Sequence, residues 1–261
     1  MCTLIALHRP YRDVRLVVAA NRDEYLDRPS AGPALLEHGG QRMLAPRDLR
    51  AGGSWLGLNT HGVFAALTNR PNPSPDGSLR SRGLLVLDAL RETSAGRAAE
   101  RLAELPGGVY NPFNLFVADG ERAFVAVYQG TPRVTELAPG AHVIGNADPD
   151  DRSVPKVARL LGAAERVAAG PEEWWLQGLG AVCRGHEGES PLGAACVHHG
   201  GYGTRSSTLL RIDEDPARSE LHFADGPPCT AAYRDLTPLL NGLPRTGAGH
   251  TRGAQQVGSL R

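Results

Sequence analysis

The start Met1-Cys2-Thr3 places a thiol directly behind the initiator methionine. That methionine is usually trimmed when the next side chain is small, and cysteine qualifies. Trimming would leave a thiol and a free α-amine on one residue. Their ordinary pKa values, about 8.5 and about 7.7–8.0, are close enough for the amine to accept the thiol proton. A second set, Asn21-Arg22-Asp23-Glu24, follows an apolar run that ends at Ala20. Packing explains four polar side chains directly after such a run poorly. On an extended strand they alternate, Asn21 and Asp23 to one face, Arg22 and Glu24 to the other. An Asp beside an α-amine holds it and favours its charged form, and an Arg beside a thiol favours thiolate. The plain alternative is a chance Met-Cys start and a solvated turn with a local Arg–carboxylate pair.

The elements that must position these groups follow from apolar patterning. Thr3 to Leu7 and Val14 to Ala20 predict two strands around a polar turn. Residues 28 to 53, rich in Pro, Gly and Arg, are expected as a loop. Ser54 to Leu58 and Val63 to Thr68 predict a hairpin, followed by an exposed loop to Arg82. Leucines and alanines at helical spacing from Gly83 to Leu105 predict two helices, with Ser94 capping the second. Four strands are expected at Asn114–Ala118, Ala123–Tyr128, Arg133–Leu137 and His142–Gly145, then helices over Val154–Ala169 and Pro171–Val182. A last hairpin joins Ser206–Ile212 to Ser219–Ala224. Hairpin-rich strand groups alternating with helical pairs imply an α+β fold, with two stacked antiparallel sheets between helical layers. Residues 1–241 are expected to form a single domain, and 242–261, rich in Gly, Thr and Arg, a disordered tail.

Asn21-Arg22-Asp23-Glu24 with Arg28-Pro29 resembles the signature of the NRDE, or transport-and-Golgi-organisation, family. Met1-Cys2, Gly52-Gly53-Ser54-Trp55-Leu56-Gly57 and Ala66-Leu67-Thr68-Asn69 fit the same ordered pattern. So do Gly145-Asn146-Ala147 and Tyr202-Gly203-Thr204-Arg205-Ser206-Ser207-Thr208, so the resemblance spans roughly residues 1 to 240. That family looks distantly similar to N-terminal-nucleophile amidases such as bile salt hydrolases and penicillin V acylases. The likeness implies a four-layer α-β-β-α fold that cleaves linear amides through an N-terminal cysteine. It implies Cys2 as nucleophile, Asp23 as partner of the amine, Asn146 with Asn69 holding the oxyanion, and Arg205 beside the nucleophile. Where the amidases carry an Arg two residues before the Asn of this strand, the chain has Ala19, leaving Arg22 as the substitute. A second implication is a carrier for a hydrophobic ligand, haem or an acyl lipid, at the same site. The implied partner is a small acyl or amide substrate, or such a ligand.

Other chemistry finds less support. Neither GxGxxG nor GxxxxGK[ST] follows a strand, and no GxSxG elbow accompanies Ser206-Ser207-Thr208. Cys196, His198 and His199, with His186 upstream, lack a second paired motif at zinc spacing. They are expected as a loop of partly exposed histidines with no metal. Trp55, Trp174 and Trp175 are expected as core anchors. The 261-residue chain has zero formal net charge, and 27 of its 28 Lys and Arg residues are Arg, Lys156 being the exception. No global field favours nucleic acid or an anionic membrane. No apolar run suffices to span a bilayer and no secretory layout is present, so a cytoplasmic protein with four free thiols is expected.

Overall fold

The computed structural model describes residues 2–11 and 13–243. Strands β1 (Thr3–Tyr11) and β2 (Val14–Tyr25) form the opening hairpin, followed by β3 (Ser30–His38) and β4 (Gln41–Asp48). Next come β5 (Leu56–Asn59), β6 (Phe64–Asn69), and helices α1 (Arg82–Ala89) and α2 (Ala95–Ala103). A four-strand run follows: β7 (Phe113–Ala118), β8 (Ala123–Tyr128), β9 (Pro132–Leu137) and β10 (Gly140–Ile144). Helices α3 (Pro155–Ala168) and α4 (Trp175–Cys183) precede β11 (His198–His199), β12 (Tyr202–Asp213), β13 (Glu220–Ala224), β14 (Arg234–Asp235) and α5 (Pro238–Asn241).

The strands pair into two antiparallel sheets. One runs β10-β1-β2-β12-β13-β14, with β11 also on β12, and the other runs β3 through β9 in chain order. Three packed clusters define the layers. Leu4, Ala6, Leu16, Val18, Phe64, Phe116 and Leu210 meet between the sheets. Ile5, Val17, Ala19, Val157, Leu160 and Leu179 seal α3 and α4 onto the first sheet. Val86, Leu90, Leu102, Leu115 and Tyr128 seal α1 and α2 onto the second. The α-β-β-α sandwich expected from the sequence is therefore the fold.

The same clusters explain why β1 and β2 read as continuous apolar runs: even-numbered residues face the other sheet and odd-numbered residues face the helices. Periodicity located most elements, and the Ser94 side chain does cap α2, accepting the Arg97 N–H at 3.2 Å. The expected loop over 28–53 is instead the β3–β4 hairpin. Its register slips between Ala31 and Ala34, around Pro33, and β3 is an edge strand. An edge tolerates a proline at a bulge because the lost N–H faces no partner. Met43, Leu44 and Ala45 bury the hairpin's inner strand. Trp55 and Trp175 anchor the core as expected, but Trp174 is 58% exposed. The expected tail lies, beyond Leu243, outside the described residues. Among the described residues no helix is long and apolar enough to cross a membrane.

Candidate active site

The register of the first hairpin builds the site. Thr3 pairs with Asn21 on β2, so Cys2 stands beside Arg22 at the open end of the sheet. Continuing the alternation, Arg22 and Glu24 project between the sheets while Asn21 and Asp23 project toward the helical layer. Asn21 is fully buried, and its amide donates to the carbonyls of Cys183 and Ala195, both at 2.9 Å. The Arg22 guanidinium lies 4.4 Å above the Trp55 ring, 3.7 Å from Asp48 and 3.9 Å from Glu24. Arg28 closes this ion network on Asp48 at 2.7 Å. Cation–π stacking and two carboxylates hold a buried guanidinium that burial alone would disfavour. Its Nη1 has no hydrogen-bond partner among the described residues, a buried donor available to an anion.

Cys2 is half-buried, and its Sγ lies 3.9 Å from the Asp23 carbonyl oxygen. Burial pushes the thiol above its ordinary value and the Asp23 carboxylate adds to this, while the Arg22 charge opposes it. Asp23 is itself buried. Thr204 donates its hydroxyl proton to Oδ1 at 2.6 Å, and the Val197 N–H donates in turn to the Thr204 oxygen at 2.8 Å. Tyr202 donates to the Asp23 carbonyl at 2.9 Å. Burial raises the Asp23 carboxyl to about 6, against the opposing pull of Lys156 and the Thr204 hydroxyl.

A cleft of about 440 Å³ opens here between the two sheets, lined by Cys2, Arg22, Asp23, Trp55, Asn69 and Arg82 among others. Asn69 ends β6 on the opposite sheet. The Asn146 side-chain amide donates to the Asn69 carbonyl, so these two expected residues do meet. The turn carrying Asn146 is braced from below. The buried Asn114 amide donates to the carbonyls of Gly145 at 3.1 Å and Ala147 at 2.8 Å, and Thr68 also donates to Gly145. On the far side of that turn lies a second cleft of about 360 Å³. Its lining is largely apolar, including Val143, Val154, Val157, Leu160 and Leu192, and it reaches Thr3, Asn146 and Lys156.

Five of the six expected site residues, Cys2, Arg22, Asp23, Asn69 and Asn146, thus gather around one end of the sandwich. Arg205 does not join them. It sits where the β2–β12 register slips between Thr204 and Ser206. Its Nε donates to the Leu26 carbonyl at 3.2 Å and its Nη1 lies 3.9 Å from Asp225. The side chain at Asp23 is that of its neighbour Thr204. Lys156 is a site residue that no motif singles out. It stands near the start of α3, its buried Nζ has no hydrogen-bond partner among the described residues, and burial lowers its pKa while Asp23 and Cys2 oppose. Being the sole lysine beside 27 arginines was the available signal. Arg82 is similar: it donates to the Pro112 carbonyl at 2.9 Å and its charge reaches Cys2.

The family model described as transport and Golgi organisation 2 matches residues 1–225. The chain belongs to this family. It is 32% identical over 232 residues to the human transport and Golgi organization protein 2 homolog, covering 77% of this chain and 83% of that one. The Bos taurus homolog is likewise 32% identical, over 230 residues, with the same coverage. Among solved structures, this family member is similar to the penicillin V acylase of Agrobacterium tumefaciens (TM-score 0.57, 14% identity), with 90% of this chain and 86% of that one covered. It is also similar to an N-acylethanolamine-hydrolyzing acid amidase ortholog of Caenorhabditis elegans (TM-score 0.56, 12% identity), with 80% and 92% covered. The conjugated bile acid hydrolase of Clostridium perfringens, in a mutant form, follows at TM-score 0.54 and 13% identity, with 91% and 93% covered. At these identities the likeness establishes a shared α-β-β-α sandwich and nothing finer.

Proposed function

We propose that this protein is a cysteine hydrolase of linear amide or related acyl substrates, with Cys2 as nucleophile once Met1 is removed. The observation that carries the reading is the shared wall of one cleft: Cys2, Arg22 and Asp23 on the first sheet face Asn69 on the second. In the reaction, Cys2 Sγ attacks the substrate carbonyl carbon and its proton passes to the α-amine of the same residue. The carbonyl electrons move to oxygen. That oxyanion is met by the Asn146 amide, which has a second N–H beyond the one given to Asn69. Collapse breaks the C–N bond, and the departing amine takes the proton from the α-ammonium. Water then attacks the thioester, releasing the carboxylic acid and restoring the thiol. Asp23 holds the α-ammonium while it is charged, and Arg22 Nη1 favours the thiolate. The raised thiol pKa of the buried Cys2 makes this help necessary. The apolar cleft beside Thr3 and Asn146 suits an acyl chain, and the polar cleft suits the amine half.

The apolar cleft also suits a second reading, a carrier for an acyl lipid or haem without turnover. The two separate by experiment. The mature N-terminus is mapped by mass spectrometry, and wild type and Cys2→Ala are assayed on a panel of acyl amides and titrated with haemin. The hydrolase reading expects a chain starting at Cys2 and turnover that Cys2→Ala abolishes. An active chain that retains Met1 sinks the amine-base mechanism. Micromolar haemin binding without turnover favours the carrier.

A further inference from the structure

Away from the Cys2 cleft, at the opposite edge of β12, four metal-ligating side chains converge. His186 follows the C-terminus of α4, Cys196 and His198 flank the start of β11, and Cys229 lies in the turn after β13. One ligand atom from each lies within 4.8 Å of all the others. Cys196 Sγ is 3.6 Å from Cys229 Sγ and 3.6 Å from His198 Nε2, and His198 Nε2 is 3.2 Å from Cys229 Sγ. The His186 ring packs 5.2 Å from that of His198. A tetrahedron built on Zn–S of about 2.3 Å and Zn–N of about 2.0–2.1 Å has edges of about 3.8 Å between sulfurs and about 3.5 Å between sulfur and nitrogen. The three measured edges fall within about 0.4 Å of these values without any movement.

We propose that His186, Cys196, His198 and Cys229 form a structural zinc site, closed by two thiolates and two imidazoles. The ligand set balances the ion's charge, and all four positions are filled by protein, which is the pattern of a site that holds chain segments together. The segments are already aligned for it. Cys196 N–H donates to the Gly185 carbonyl at 2.9 Å, next to His186, and Arg184 Nε donates to the Pro228 carbonyl at 3.1 Å, next to Cys229. A disulfide between Cys196 and Cys229 accounts for two of the four groups, but it leaves the convergence of both imidazoles unexplained. The clamped stretch is the one that supports the cleft floor: Ala195 accepts from Asn21, and Val197 donates to Thr204, which holds Asp23. The ion would therefore fasten the backing of β2 without touching the reacting atoms. Sequence spacing hides the site because Cys229 reaches it only through the β12–β13 hairpin, and His199 points elsewhere.

The test is metal analysis of the full-length protein purified without chelator under reducing conditions, by plasma mass spectrometry. About one zinc per chain is expected, reduced at least about tenfold in Cys196→Ser/Cys229→Ser. His186→Ala and His198→Ala alter exposed residues. Each is expected to stay folded by circular dichroism and to release zinc to a colorimetric chelator at least about tenfold faster than wild type. Cobalt added to stripped protein should give the visible bands of tetrahedral thiolate coordination, and Cys183→Ala, outside the cluster, should leave them unchanged. Three results overturn the proposal: no stoichiometric metal, iron or copper in place of zinc, or zinc retained undiminished by folded His186→Ala and His198→Ala. A mass two hydrogens short that reductant restores, mapped to a Cys196–Cys229 disulfide in protein purified under reducing conditions, overturns it too.

Discussion

Replacing Asp23 by Asn should stabilise the fold and damage the site at once. The wild-type carboxyl is raised from its ordinary value of 3.8 to about 6 by burial. A carboxyl held above its unfolded pKa favours the folded state only while it is protonated. Below about pH 4 it is neutral in both states and costs nothing. Between 4 and 6 the unfolded chain ionises first, so stability falls as pH rises, and above about 6 the full cost is present. The displacement corresponds to about 3 kcal/mol at most. An α-ammonium on a chain trimmed to Cys2 would lower this figure, so the expected range is about 1.5–3 kcal/mol. Asn keeps the oxygen that accepts from Thr204 but cannot ionise. The assay is urea denaturation of wild type and Asp23→Asn at pH 4, 5, 6 and 7.5. The variant's stability minus that of wild type should grow by this amount from pH 4 to 7.5, while amide turnover falls by at least about tenfold. A difference that is flat with pH, or that grows toward low pH, refutes the assignment of Asp23 as a buried, reluctantly ionised carboxylate.

Asn114→Ala strips the Ala147 carbonyl of its side-chain donor and leaves the Gly145 carbonyl with Thr68 alone, beneath Asn146. It should cost about 2–3 kcal/mol in thermal denaturation and lower kcat more than it raises KM. Gly53→Ala should cost at least about 2 kcal/mol. A Cβ there would stand 2.3 Å from the Gly83 carbonyl carbon, a backbone contact at the cleft rim that cannot yield by rotamer change. Phe116, fully buried between the sheets, should cost about 3–5 kcal/mol when cut to Ala, read as a shift in the urea midpoint with an unchanged slope. Arg22→Lys keeps the charge but loses the stacking on Trp55 and the fork between Asp48 and Glu24. It should raise the pH at which Cys2 reacts with iodoacetamide, because a shorter, more strongly hydrated cation supports the thiolate less well.

What the sequence made legible was whatever depends on local alternation and order. The face assignment of Asn21 to Glu24 holds because β2 is extended and buried on both sides, so parity alone places Arg22 between the sheets and Asp23 against the helices. The helical pairs and the Ser94 cap were readable for the same local reason. Pro33 and the glycines disguised the β3–β4 hairpin, since an edge tolerates residues that deny a central strand. Arg205 fell to a one-residue slip on β12, which turns a side chain away however well its motif fits. Lys156, Asn114 and Cys229 reach their places through tertiary packing, and no spacing along the chain encodes that meeting.

On the proposed mechanism Cys2 carries the acyl group during turnover. Intact-mass and tandem mass spectrometry on protein quenched during reaction with an acyl amide tests it most directly. The expected result is an acyl adduct on the thiol of a chain beginning at Cys2, absent from Cys2→Ala and discharged by hydroxylamine. Turnover with no adduct on Cys2, or with equal activity in Cys2→Ala, would contradict the account.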